Sequence, residues 1–202
     1  MNSRNLFYIR YLQLRYNESK KPLTQALFFL EKSLFDFVKN VNEDLIVQIK
    51  LRWLIEEIKK ENLNNPIIKN FDFSVNSKLK VRLINLINQF SKILNSKTEF
   101  CLMNEFKKFN DEFNLILENG CEKKFKTSYF FQTMFFVYDC KLNKKFNIFF
   151  FEDLFKLMEK NKFDKFELSF LECFFEKKNI KAYKVKKMHI LFKLLKKFLN
   201  DW

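Results

Sequence analysis

The chain has 202 residues, 48% of them hydrophobic, with 38 Lys and Arg against 24 Asp and Glu for a net charge of +14. This is enough to build one sizeable core. A single glycine, Gly120, and two prolines, Pro22 and Pro66, exclude turn-rich β-sandwiches and barrels, which spend glycine at positive φ. They also exclude the glycine-dependent phosphate cradles, because neither a P-loop nor a dinucleotide fingerprint can be written.

In chain order, residues 1–20 carry Arg4, Arg10 and Arg15 with no acid before Glu18. Arg4, Leu6, Phe7, Tyr11 and Leu14 read equally as the first helix of the domain or as an uncleaved, mitochondrial targeting-like basic amphipathic helix. Leu23, Ala26, Leu27, Leu30, Leu34, Phe37, Val38 and Val41 recur at three- and four-residue spacing and predict a helix. Leu45, Ile49, Trp53 and Ile58, with Ile46 and Leu54 alongside, predict a second, with Asn42 as its N-cap. Pro66 is placed to start the segment after it. Leu79, Leu83, Leu86, Ile87, Phe90 and Leu94 predict a third helix. Leu102, Phe106, Phe109, Phe113 and Leu117 predict a fourth, closed by Gly120 as C′ residue. Phe130–Tyr138, Phe149–Met158, Phe166–Phe175 and Tyr183–Leu199 continue the helical pattern, although Phe146–Phe151 has the β-propensity of a short extended segment. The expected fold is all-α, a single compact bundle of about eight helices over residues 1–202.

The charge invites a nucleic-acid reading, since cations neutralise phosphates. Only five of the 38 basic residues are Arg (Arg4, Arg10, Arg15, Arg52, Arg82), however, and Arg is the stronger phosphate and base reader. The 29 Phe, with abundant Lys, Asn and Ile, match A/T-rich codons. Drift of an endosymbiont, protist or organellar genome accounts for part of the charge. Cys101, Cys121, Cys140 and Cys173 form no CxxC pair and the lone histidine is His189, so zinc is not expected and buried, reduced thiols are. No apolar run is long enough for a transmembrane helix. His189 sits on a Lys-rich stretch, and Glu56-Glu57 and Asp111-Glu112 read as solvated helix faces. No catalytic set emerges, and no cofactor is expected. Residues 177–202 predict a basic amphipathic helix whose Lys186, Lys187, Lys193, Lys196 and Lys197 would meet an anionic membrane or RNA.

Several short stretches, in order, resemble the squalene/phytoene synthase-type family over roughly residues 8–198. They are Ala26-Leu27, Val41-Asn42-Glu43, Ile49-Lys50-Leu51-Arg52-Trp53, Asn65-Pro66-Ile67-Ile68, Phe131-Gln132-Thr133-Met134 and Phe149-Phe150-Phe151-Glu152-Asp153-Leu154-Phe155. The branch most similar is that of the mitochondrial complex I assembly factor and its alphaproteobacterial relatives. The resemblance implies an isoprenoid-synthase-like bundle with two facing DxxxD motifs that hold Mg²⁺ and a prenyl diphosphate. At those positions this chain has Asp36 and Asn40, then Asp139 and Asn143: degenerate remnants with two carboxylates in place of four.

The resemblance thus implies a pseudoenzyme, with no metal site. Its expected role is accessory subunit or assembly factor of an inner-membrane respiratory complex, in the mitochondrial matrix or on the matrix side of that membrane. Its expected partners are protein subunits of a large assembly and anionic lipid such as cardiolipin. The alternatives are a mitoribosomal or other RNA-binding protein and a residual prenyl-diphosphate synthase.

Overall fold

A computed structural model describes residues 9–14, 22–41, 43–73, 78–120, 126–140, 142, 145–160 and 163–176. Among these the regular structure is entirely helical. The helices are α1 (residues 9–14), α2 (Pro22–Lys39), α3 (Asp44–Lys59), α4 (Leu79–Leu94), α5 (Glu99–Gly120), α6 (Tyr129–Asp139), α7 (Ile148–Leu157) and α8 (Lys165–Glu176). The last expected helix, Tyr183–Leu199, lies outside the described residues, as do Asn42, Cys121 and His189.

The 3.6-residue period of the apolar side chains decides which face each helix buries. On α4, Leu79, Leu83, Leu86, Ile87, Phe90, Ile93 and Leu94 are all buried. On α5 the buried set is Leu102, Phe106, Phe109, Phe113, Ile116 and Leu117. These two helices, joined by residues 95–98, pack along their length, and α6 and α2 close on the other sides of α5. Helix α3 covers α4 and α2, and α8 packs on α6.

Phenylalanine supplies most of this interior. The rings of Phe35, Phe90, Phe106 and Phe136 meet across α2, α4, α5 and α6 at centroid separations of 5.2 to 6.3 Å, mostly edge-on or tilted. Offset and edge-on contacts set the positive rim of one ring against the negative face of the next, adding to area burial. A second group, Phe130, Phe155, Phe163 and Phe175, fastens α7 and α8 to α6.

Three local expectations change, and one open alternative is settled. The segment after Pro66 is a run of turns rather than a helix: Ile67 N–H donates to Asn65 Oδ1 at 2.9 Å, and Phe71 N–H to Ile68 O at 2.8 Å. Residues 148–151 are helical, because Asn147 Oδ1 caps α7 by accepting from Phe149 N–H at 3.0 Å. Gly120 is the last helical residue of α5, not the one after it. Among the described thiols, Cys173 is buried, Cys140 half-buried and Cys101 exposed.

Candidate functional site

Three places stand out once the helices are assembled: a polar cage inside the bundle, the adjoining ends of α2 and α6, and the outer face of α3.

The cage is built around Arg10 of α1, whose side chain is 1% exposed. Its Nε and Nη2 donate to the two oxygens of Glu31 on α2, both at 2.8 Å. Nη1 donates to Gln13 Oε1 and Glu167 Oε1, each at 2.8 Å, and Nη2 also to Thr127 Oγ1 at 2.9 Å. A guanidinium has five N–H donors, and all five are answered. The guanidinium carbon lies 4.9 Å from the ring centre of Phe28, 5.0 Å from Phe131 and 5.9 Å from Phe113.

A second layer holds the acceptors in place. Gln132 Nε2 donates to Glu31 Oε1 at 2.7 Å, and Asn110 Nδ2 donates to Gln132 Oε1 at 2.9 Å. Ser128 N–H donates to Glu167 Oε2 at 2.9 Å, and the Thr127 hydroxyl donates to Glu167 Oε1. Asn114 Oδ1 accepts from Thr127 N–H at 3.0 Å.

The cage holds one cation against two carboxylates, all out of water. Burial pushes the Glu167 carboxyl up to about 7 against the pull of Arg10, with Asp164 adding to the rise. Arg10 stays charged: Glu31 and Glu167 outweigh the opposing effect of its burial. Arg10 is therefore a core residue, and the described part of the N-terminal segment belongs to the domain, with Ile9 also buried.

At the adjoining ends of α2 and α6, Asp36 and Asp139 are brought to one place, both close enough to act electrostatically on the Cys140 thiol. Each is answered by a lysine. Lys32 Nζ donates to Asp36 Oδ2 at 2.5 Å, and Lys39 Nζ donates to Asp139 Oδ1 at 2.9 Å. Cys140 donates to Phe35 O at 3.6 Å, and burial, followed by Asp139, pushes its thiol well above the usual range. It is no thiolate nucleophile. Asn40 follows α2 as a turn residue, its N–H on Asp36 O. Asn143 and Lys186, Lys187, Lys193, Lys196 and Lys197 lie outside the described residues.

The outer face of α3 departs from expectation. The side of α3 that packs inward is Val47, Leu51, Leu54 and Ile58. Leu45, Ile46, Ile49 and Trp53 are 69%, 40%, 57% and 48% exposed. Leu45, Ile49 and Trp53 follow at four-residue spacing, one stripe on the helix surface, with exposed Arg52 beside Trp53. Four of the six apolar residues expected to pack inward thus face out. Glu57, expected on a solvated face, is buried and accepts from Asn62 Nδ2 at 2.5 Å, while Glu56 pairs with Lys59 on the surface.

Among the described residues no group of three or more His, Cys, Asp or Glu is arranged to hold a metal, and no helix is long and apolar enough to cross a membrane. No protein-family model, curated protein or solved structure matches the chain.

The cage went unseen in the sequence, but a signal was present. Glu31 stands four residues after Leu27, Asn110 four after Phe106, and Glu167 midway between Phe163 and Leu171: polar residues at core spacing. Such residues need partners.

Proposed function

We propose that the protein is a non-catalytic helical scaffold that works by docking to other proteins, with the outer face of α3 as its docking surface. The observation that carries this reading is the exposed stripe of Leu45, Ile46, Ile49 and Trp53. A helix apolar on both sides has one side covered by its own bundle and asks for a second cover. Trp and Arg, the types of the exposed Trp53 and Arg52, are the residues that dominate binding energy at protein interfaces. The Lys39–Asp139 pair favours a non-catalytic role, because an ammonium already takes the carboxylate that a metal would need.

The partner we propose is an inner-membrane respiratory complex of the mitochondrion, with the chain as accessory subunit or assembly factor on the matrix side. This rests on the resemblance to the squalene/phytoene synthase-type branch of complex I assembly, and on the placing of Asp36 and Asp139 together. The chain's net charge of +14 suits an acidic partner surface or cardiolipin-rich lipid beside it.

The test is native isolation of the tagged chain beside an Ile49→Asp/Trp53→Ala variant. Subunits of a respiratory complex that co-isolate with the first and not the second support the reading. Equal recovery with both chains means that α3 is not the docking surface. RNA in place of protein, lost steeply with salt, replaces the reading with a ribonucleoprotein one. Mg²⁺-dependent turnover of a prenyl diphosphate, abolished by Asp36→Ala, would overturn the non-catalytic role.

A further inference from the structure

We propose that the cage around Arg10 is a guanidinium-binding site in its own right, which α1 occupies by lending an arginine side chain. Among the described groups that touch the guanidinium, only Gln13 comes from α1. Glu31 and Phe28 belong to α2, Phe113 to α5, Phe131 to α6, Glu167 to α8, and Thr127 to the segment before α6. Their positions are fixed by groups other than Arg10: Gln132 on Glu31, Ser128 N–H on Glu167, and Asn114 on Thr127. The walls of the cage are therefore assembled by the rest of the bundle.

What the cage accepts follows from its acceptors. Glu31 takes two N–H groups from adjacent nitrogens of the fork, as a carboxylate does with a planar guanidinium. Three further acceptors, on Gln13, Thr127 and Glu167, meet the remaining donors. The Phe28 and Phe131 rings lie within the range in which a desolvated cation is attracted to an aromatic face. An ammonium offers three donors from one nitrogen and cannot reach acceptors spread around a fork. The ligand class is an alkylguanidinium, the head of an arginine side chain.

The test is chemical rescue of the full chain. Arg10→Ala empties the cage, and thermal unfolding is followed in guanidinium chloride, well below the molar range in which it denatures. Equal concentrations of sodium chloride, ammonium chloride and urea serve as controls. At tenfold its dissociation constant, guanidinium should raise the Tm of Arg10→Ala by about 3–6 °C, and the rise should grow with the logarithm of its concentration. The wild type, its cage filled, should show no such rise. Where Arg10→Ala leaves the chain unfolded, Arg10→Ala/Glu167→Gln, with one buried carboxylate fewer, is measured in the same way. A guanidinium response no larger than that to sodium or ammonium overturns the site.

Discussion

The inside of the bundle around Arg10 and the outside of α3 treat their side chains in opposite ways. In the cage, polar groups from five helices and a loop are buried, and each donor of the guanidinium has found its acceptor. On α3, three large apolar side chains in a row and Ile46 beside them stand in water. A buried charge left unanswered would cost several kcal/mol, so the cage has to be complete within the chain. An apolar face left uncovered costs little in the monomer and is repaid when a partner covers it. The fold thus needs the residues of the cage and leaves those of the α3 stripe free for something else.

Breaking the cage should have the largest effect. Arg10→Ala leaves Glu31 and Glu167 buried without their cation, and stability should fall by about 3–5 kcal/mol. Urea denaturation reads this directly, and a loss below about 1 kcal/mol would mean that the cage is open to water. Phe106→Ala removes a ring that touches Phe35, Phe109 and Phe136, and should also cost about 3–5 kcal/mol. Lys39→Met strands Asp139 at the ends of α2 and α6, for a smaller loss of about 1–3 kcal/mol.

The pH dependence sharpens the same contrast. Glu167 binds its proton more tightly in the fold, at about 7, than in the unfolded chain, near 4.5. Between those values the native state holds more protons, so the contribution of Glu167 to stability is fullest below about 4.5 and is lost as pH rises through 7. Glu167→Gln has no proton to lose there. Its stability relative to wild type should therefore increase from pH 5 to pH 8, as urea midpoints at the two values would show. A difference that stays level would return Glu167 to an ordinary ionised carboxylate.

The helices were legible because Phe, Leu and Ile recur at helical spacing with polar residues between them; on α4 and α5 every residue of the expected stripe is buried. Helix α3 misled for a physical reason. Apolar residues on both of its sides give two candidate stripes, and period alone does not say which one the bundle takes. Proline at position 66 suits a helix start and a turn alike, and the Asn65 side chain decided for the turn. The cage was illegible because its parts come together only in three dimensions: Arg10 meets Glu31 across 21 residues, Thr127 across 117 and Glu167 across 157. Asp36 and Asp139 were marked by resemblance rather than by pattern; Lys32 stands one helical turn before Asp36, but Lys39 meets Asp139 only across 100 residues.

If α3's outer face serves a partner rather than the fold, its loss should spare stability and abolish assembly. Both are read by measuring the Tm of Ile49→Asp/Trp53→Ala beside the wild type, together with the migration of each on a native gel of solubilised membranes. Exposed positions away from special features change stability by only about 0.5 kcal/mol each. The expected result is a Tm within about 3 °C of wild type and loss of the high-mass species. A Tm that falls as far as that of Arg10→Ala, or a high-mass species that survives intact, would contradict it.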